Sequence, residues 1–129
     1  MAKNKKYHPT ESELEILQIL WQKEQATVRD VHEVLENVKD TGYTTTLKTM
    51  QNMTEKGLLE RDTDARTHVY RPLLTREKTQ ESVLNKMLNG LFKGSESNLV
   101  LGALSRKELS QEELQEIKDY LKQFEKKQP

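Results

Sequence analysis

The feature that most constrains this chain is a change of periodicity at Gly57, inside residues 43–71. Before Gly57, the apolar residues recur at the spacing of one helix face, at Leu47, Met50 and Met53. After it, two runs rich in β-favouring residues, 58–63 and 67–70, flank a polar turn. A glycine just past the last periodic residue is typical of a helix C-terminus. The sequence therefore predicts one helix followed directly by one β-hairpin.

The face of this helix opposite its apolar stripe is polar and free of acidic residues. No aspartate or glutamate occurs in residues 43–54, although 21 of the 129 residues are acidic. A face of this kind can approach a polyanion without like-charge repulsion. Polar helix faces are often only solvated, but three consecutive threonines are mediocre helix formers and better suited to capping and hydroxyl contacts. The side chains predicted to contact DNA from this face are Thr44, Thr45, Lys48, Thr49 and Asn52.

A helix followed by a hairpin with a basic tip is the outline of a winged helix-turn-helix. In that fold the helix enters the major groove, and we expect Arg66 and His68 on the wing to lie near phosphates or the minor groove. The sequence upstream fits the same fold. The capping-box spacing of Thr10 and Glu13 predicts a first helix, and the N-cap spacing of Thr27 and Asp30 predicts a second helix over residues 28–38. Gly42 then lies in the short turn expected before the recognition helix.

The last third of the chain carries apolar stripes that three helices cannot easily bury alone. The patterns predict a helix from the cap residue Thr75 to about residue 92, a short apolar helix over 98–105, and a last helix capped by Ser110. We therefore expect this region to dimerise, with its core completed by a second copy. The residues predicted for the dimer seam are Leu84, Leu88, Leu91, Leu101, Leu104, Leu114, Ile117, Leu121 and Phe124.

Net charge gives no support to nucleic-acid binding, because basic and acidic residues number 21 each and also balance within both halves of the chain. Any electrostatic attraction to DNA must therefore be local. The candidate cations are Lys3, Lys5, Lys6, Lys48, Arg61, Arg66, Arg71 and Arg76.

Other chemistry is thinly represented. The absence of cysteine excludes disulfides and thiolate metal sites. His32 and Glu36 lie one helical turn apart but lack a third ligand, so we expect a surface pair and neither a metal nor another cofactor. Phosphate loops and nucleophile motifs are missing, which argues against an enzyme. The start of the chain has no apolar signal region and no run has membrane-spanning length, so a cytoplasmic protein without membrane insertion is expected.

Several segments, in this order and spacing, resemble the penicillinase-repressor family, BlaI/MecI. They are residues 9–17 with Leu20 and Trp21, then 42–45, 55–61 and 68–70, followed in the tail by 97–101 and 109–114. The resemblance covers nearly the whole chain. It implies a homodimeric transcriptional repressor that binds a two-fold operator in double-stranded DNA and serves antibiotic resistance. It further implies a winged-helix DNA-binding domain over residues 1–75 and a helical dimerisation domain over residues 76–129.

Two alternatives remain open at this point. One is a MarR-like regulator, whose wing residues 61–66 also resemble, although the long N-terminal dimerisation helix expected of that family is absent. The other is a winged-helix protein-interaction module with a coiled-coil tail. A copper-responsive branch of the penicillinase-repressor family uses a C-terminal cysteine motif, which this chain lacks.

The resemblance also implies how repression ends. In well-known members a membrane sensor metalloprotease responds to β-lactams, and the repressor is cut at an Asn-Phe pair in the short helix of the dimerisation domain. The matching segment here is Leu101, Gly102, Ala103 and Leu104, so an alanine stands where a protease pocket would take the aromatic ring. Gly102 favours local opening of the helix. We therefore expect proteolysis in this segment by a protease of different specificity, or at a bond displaced by a few residues.

Overall fold

The computed structural model describes residues 8–64, 66–106 and 108–127. These residues form six helices and one antiparallel hairpin: α1 Glu11–Lys23, α2 Val28–Leu35, α3 Tyr43–Glu55, β1 Leu59–Asp62, β2 Val69–Pro72, α4 Arg76–Gly90, α5 Glu96–Leu104 and α6 Gln111–Lys127. The predicted fold class, mostly α with a small hairpin wing and C-terminal helices, is confirmed. The described residues fall into two compact units that divide between Leu84 and Asn85.

Capping boxes start the first two helices, as their sequence spacing predicted. The Thr10 hydroxyl accepts a hydrogen bond from the Glu13 amide at 3.2 Å, and the Glu13 carboxylate accepts one from the Thr10 amide at 2.9 Å. Thr27 and Asp30 make the same reciprocal pair at the start of α2. These side chains satisfy backbone amides that a helix N-terminus leaves without partners.

The junction of α3 and the hairpin is a Schellman turn. Gly57 has a φ of 86°, the left-handed conformation that favours glycine. Its amide donates to the Thr54 carbonyl at 3.1 Å, and the Leu58 amide donates to the Met53 carbonyl at 2.9 Å. Both bonds satisfy carbonyls at the end of the helix, so the predicted helix-ending role of Gly57 is confirmed.

The hairpin pairs Leu59 with Pro72 and Asp62 with Val69, with Arg61 opposite Tyr70 between them. Ala26, in the connection between α1 and α2, extends the ladder by two hydrogen bonds with Tyr70, of 2.8 and 3.0 Å. The wing is therefore fastened both to α3 and to the start of α2.

The core of the first unit lies between α1, α2, α3 and the base of the hairpin. Its buried apolar residues are Ile16, Leu17, Leu20, Ala26, Val28, Val31, Leu35, Met50, Met53, Leu58, Leu59 and Tyr70. Trp21 packs against this cluster and its indole nitrogen donates to the Leu74 carbonyl at 2.8 Å, so it anchors the end of α1. The apolar stripe of each of these three helices thus packs against the base of the hairpin.

Three sequence predictions of element ends were wrong. The second helix ends at Leu35 and not at residue 38, because Val38 is 76% exposed and has no core to pack against. The cap of α3 is Gly42 and not a threonine. The fifth helix begins at Glu96, two residues early, because the Ser95 hydroxyl accepts from the Asn98 amide at 3.3 Å and caps it.

The second unit contains the end of α4 with α5 and α6. The predicted capping box at Ser110 is present, since its hydroxyl accepts from the Glu113 amide at 3.0 Å. Neither α5 nor α6 has a buried residue. The apolar residues of this unit that are more than half exposed are Leu91, Val100, Leu101, Tyr120, Leu121 and Phe124. The predicted functional division at residues 75 and 76 stays a prediction.

Candidate nucleic-acid interface

The five polar residues predicted to contact DNA lie along one side of α3. Thr44, Thr45, Lys48 and Asn52 are exposed. Thr49 is half-buried and its hydroxyl donates to the Thr45 carbonyl at 2.8 Å, so only its oxygen lone pairs remain for another partner. Four of the five side chains are therefore free to meet a ligand, and their role in DNA contact stays a prediction.

The third threonine of the run has a structural role that the sequence did not indicate. Thr46 is buried, its hydroxyl lies 3.0 Å from Nδ1 of His32 on α2, and it also donates to the Gly42 carbonyl at 3.5 Å. This contact joins the two helices of the helix-turn-helix at the start of α3. A threonine run thus serves two purposes, because consecutive positions on a helix point about 100° apart.

The charges of the hairpin are separated between its two faces. Arg71 is paired with Glu60, its Nη2 and Nε lying 2.8 and 3.1 Å from one carboxylate oxygen. Arg61 is one residue along the strand from Glu60 and therefore points to the other face. On the face of Arg71 the positive charge is neutralised by Glu60 and attracts an anion weakly. On the other face the positive charge of Arg61 has no carboxylate partner among the described residues.

Of the other candidate cations, Arg76 has its guanidinium carbon 5.6 Å from the centroid of the Trp21 ring. Lys48, Arg61 and Arg66 are exposed and form no ion pair within the described part of the chain. His68 on the wing is also exposed. Lys3, Lys5 and Lys6 lie outside the described residues. The local cations that remain available are thus on α3 and on the wing.

An open cleft of about 680 Å³ separates the side of α3 from the wing. Its lining residues are Thr27, Val28, Arg29, Asp30, Tyr43, Leu47, Gln51, Arg61, Arg66, Thr67, His68 and Tyr70. The sequence prediction missed Arg29, whose guanidinium carbon lies 5.9 Å from the centroid of the Tyr43 ring. That ring meets His32 edge-on at 5.6 Å. No periodicity could have found Arg29, because only the packing of α2 on α3 brings it to this cleft.

The remaining predictions concern the pair of His32 and Glu36, metal binding and membrane insertion. Nε2 of His32 lies 3.5 Å from a carboxylate oxygen of Glu36, which is the predicted pair. Across residues 8–64, 66–106 and 108–127, no three or more potential metal ligands come together. None of the helices in those ranges combines the length and the apolar character needed to cross a membrane.

Comparison with known sequences gives a consistent result. A sequence model of the penicillinase repressor family matches residues 9–123. The methicillin resistance regulatory protein MecI of Staphylococcus aureus is 26% identical over 118 residues, which cover 92% of this chain and 96% of that protein. The transcriptional regulator BlaI of Mycobacterium tuberculosis is 33% identical over 90 residues, 69% of this chain and 63% of that protein. The penicillinase repressor of Bacillus licheniformis is 24% identical over 114 residues, 88% and 89% of the two chains.

Proposed function

The chain belongs to the penicillinase repressor family, and from that membership we propose that it is a sequence-specific DNA-binding repressor of transcription. The observation that carries the proposal is the exposed polar face of α3, which has no acid before Glu55 at its end and lies beside a wing whose Arg61 and Arg66 form no ion pair among the described residues. Positive charge on a wing beside a polar reading face supports both attraction to phosphates and contact with bases.

In the proposed complex α3 enters the major groove of double-stranded DNA. Thr44, Thr45 and Asn52 reach base edges, and Lys48 contacts either a guanine or a phosphate. Thr49 acts only as an acceptor, because its hydroxyl hydrogen is donated to its own helix. Arg66 and His68 lie near phosphates or the minor groove.

The repressor is proposed to be a homodimer on a two-fold operator. In support, α5 and α6 bury no residue, while Leu101 and Leu121 are 62% and 54% exposed. Burying an exposed leucine gains about 1.5–3 kcal/mol, so a second copy laid on these helices would be stabilised by several such contacts. The seam is formed from the nine residues predicted for it, and the half-sites lie about 34 Å apart or a multiple of that distance.

Relief of repression is proposed to occur by proteolysis in α5, linked to a membrane sensor metalloprotease. The segment comprises Leu101, Gly102, Ala103 and Leu104. In support, Gly102 lies inside the helix and has open space around the position of a side chain, so no packing compensates for its low helix propensity. Mass spectrometry of the repressor from induced cells identifies the bond that is cut, and intact full-length protein released from DNA would mean that cleavage is not the switch.

The test of the DNA-binding proposal is a titration of the full-length protein with the duplex from its own promoter region. Affinity is expected to fall linearly, on a log–log scale, as salt rises, and an unrelated duplex should bind about 1,000-fold or more weakly. Nuclease protection then maps the operator, which should be a two-fold repeat. A chain that binds neither duplex contradicts the proposal.

That outcome would favour the second candidate, a winged-helix protein-interaction module. Its specific support is the equal number of cations and acids, 21 each, which gives no long-range attraction to DNA. A MarR-like regulator has no further support, because the family match assigns the chain elsewhere.

A further inference from the structure

We propose that the cleft between α3 and the wing holds the sugar-phosphate backbone of one DNA strand, clamped by Arg29 from α2 and by Arg61 from β1. The inference rests on the proposed DNA-binding function and deepens it. It adds Arg29 and Tyr43 to the interface and assigns Arg61, so far only a candidate cation, to one wall of the cleft.

The position of the cleft is the first argument. A recognition helix in the major groove and a wing near the minor groove lie on either side of the strand that separates the two grooves. That strand must pass between helix and wing, and the cleft is the space between them. Its α3 wall consists of Tyr43, Leu47 and Gln51, four residues apart, so it follows the helix for about 12 Å.

The charge of the cleft is the second argument. Arg29, Arg61 and Arg66 all line it and have no ion-pair partner among the described residues. Asp30 is the one acid among its lining residues, and a carboxylate oxygen of Asp30 already accepts the Thr27 amide at 3.2 Å. A groove with three guanidinium groups and one engaged carboxylate attracts an anion, although the whole chain is neutral.

The arrangement of Arg29 is the third argument. Its guanidinium lies against the ring of Tyr43, and that ring is in turn held edge-on against His32. A cation–π contact of this length leaves the guanidinium its charge and all its donors, and it favours positions of the side chain beside the cleft. Arg29 is therefore placed to meet a phosphate that enters the cleft.

The test measures the slope of log affinity against log salt, for both the operator and an unrelated duplex. Removing one phosphate contact lowers the steepness of that slope by about 0.9. In the proposed homodimer Arg29→Gln removes two such contacts, one from each protomer, and is therefore expected to reduce the slope by about two and to weaken both duplexes about 100-fold at moderate salt. Arg29→Lys keeps the charge and should keep the slope. Lys23→Gln, which removes a positive charge from the exposed end of α1 outside the cleft, is the matched control and should change neither quantity.

Arg61→Gln, on the opposite wall, is the second variant and should lower the slope by the same amount, so the result does not depend on one variant folding. Wild-type slopes in both arginine-to-glutamine variants overturn the clamp and leave the repressor function standing, provided that the wild-type chain binds its operator. A wild-type chain that binds no DNA overturns the proposed function itself. A loss confined to the operator, with the unrelated duplex unaffected, also overturns the clamp, because it would indicate base contact.

Discussion

The two units of this chain differ in whether they can bury their own apolar residues. In the first unit, α1, α2, α3 and the hairpin enclose twelve buried apolar side chains, among them Leu17, Met50 and Tyr70. In the second, α5 and α6 enclose none, and Leu91 is 80% exposed. The apolar fraction of the whole sequence is low, at 33%.

The difference teaches that apolar content alone does not decide whether a segment folds by itself. The first unit folds three helices and a hairpin around one centre, so each stripe finds another within the same chain. The second presents its stripes outward, and burial there requires another surface. Stability of the first unit should therefore be independent of protein concentration, whereas that of the second should depend on it.

The largest effect should follow from placing charge in the proposed seam. Leu114→Asp together with Leu121→Asp would bury four carboxylates in a dimer, and the dissociation constant should rise at least about 1,000-fold, or about 4 kcal/mol. Light scattering should then report a monomer of 15.1 kDa. Gln115→Asp with Gln123→Asp, on the opposite side of α6, is the control and should leave the dimer intact. A leucine variant that stays dimeric would contradict the claim that the second unit buries its apolar residues against a second copy.

A core truncation in the first unit should cost nearly as much. Leu17 is fully buried, so Leu17→Ala should lower the free energy of unfolding by about 2–5 kcal/mol, measured by urea denaturation. The midpoint of that transition should not move with protein concentration. Val38→Ala, at a 76% exposed position, should change stability by less than about 0.5 kcal/mol. A concentration-dependent loss would mean that the first unit also needs its twin.

Smaller effects are expected at the surface of the first unit that is proposed to contact DNA. Asn52→Ala should cost about 1–3 kcal/mol on the operator and relax its base preference, because an amide reads a base edge. Arg66→Ala should weaken every duplex alike, because a wing cation contacts phosphate. Both residues are exposed, so unfolding curves should stay unchanged. Binding competition among operator variants measures the preference, and two intact binders would show that this face is not the reader.

The smallest effect concerns the second unit. Gly102 lies inside α5 and an added Cβ would meet no atom within 4 Å, so Gly102→Ala should stabilise the helix by about 0.5–1 kcal/mol. If cleavage requires α5 to open, the intact repressor should persist several times longer after induction, as followed by mass spectrometry. Ser97→Thr, which keeps the hydroxyl at an exposed position in the same helix and hardly changes helix propensity, is the control and should leave the lifetime unchanged. Unchanged lifetimes would separate proteolysis from the opening of α5.

Local chemistry in this chain could be predicted from sequence, since its cause lies within a few residues. Thr10, Thr27 and Ser110 start helices because each hydroxyl meets an amide three residues later. Gly57 ends one because only the left-handed conformation closes that turn. The hairpin and its place after α3 followed from the same change of periodicity.

What could not be predicted depends on residues far apart in the chain. Glu13 completes a capping box, but its second carboxylate oxygen lies 2.9 Å from Nζ of Lys56, which is 43 residues away. Thr46 was interpreted only as part of a threonine run suited to capping and hydroxyl contacts, yet α2 packs over it. Arg29 was missed because the sequence of α2 was used only to identify an apolar stripe. In each case the deciding partner is supplied by packing, which leaves no periodic signal.

The Schellman turn has a consequence for the shape of the DNA. Leu58 is tied to the end of α3 through its amide and to the exit of the hairpin through its carbonyl, which accepts from Leu73 at 2.9 Å. These bonds fix the foot of the hairpin against the end of α3. In the proposed complex a mismatch in groove width would then be taken up partly by the duplex, at a deformation energy that depends on its sequence. Base pairs that no side chain touches would contribute to operator choice in this way.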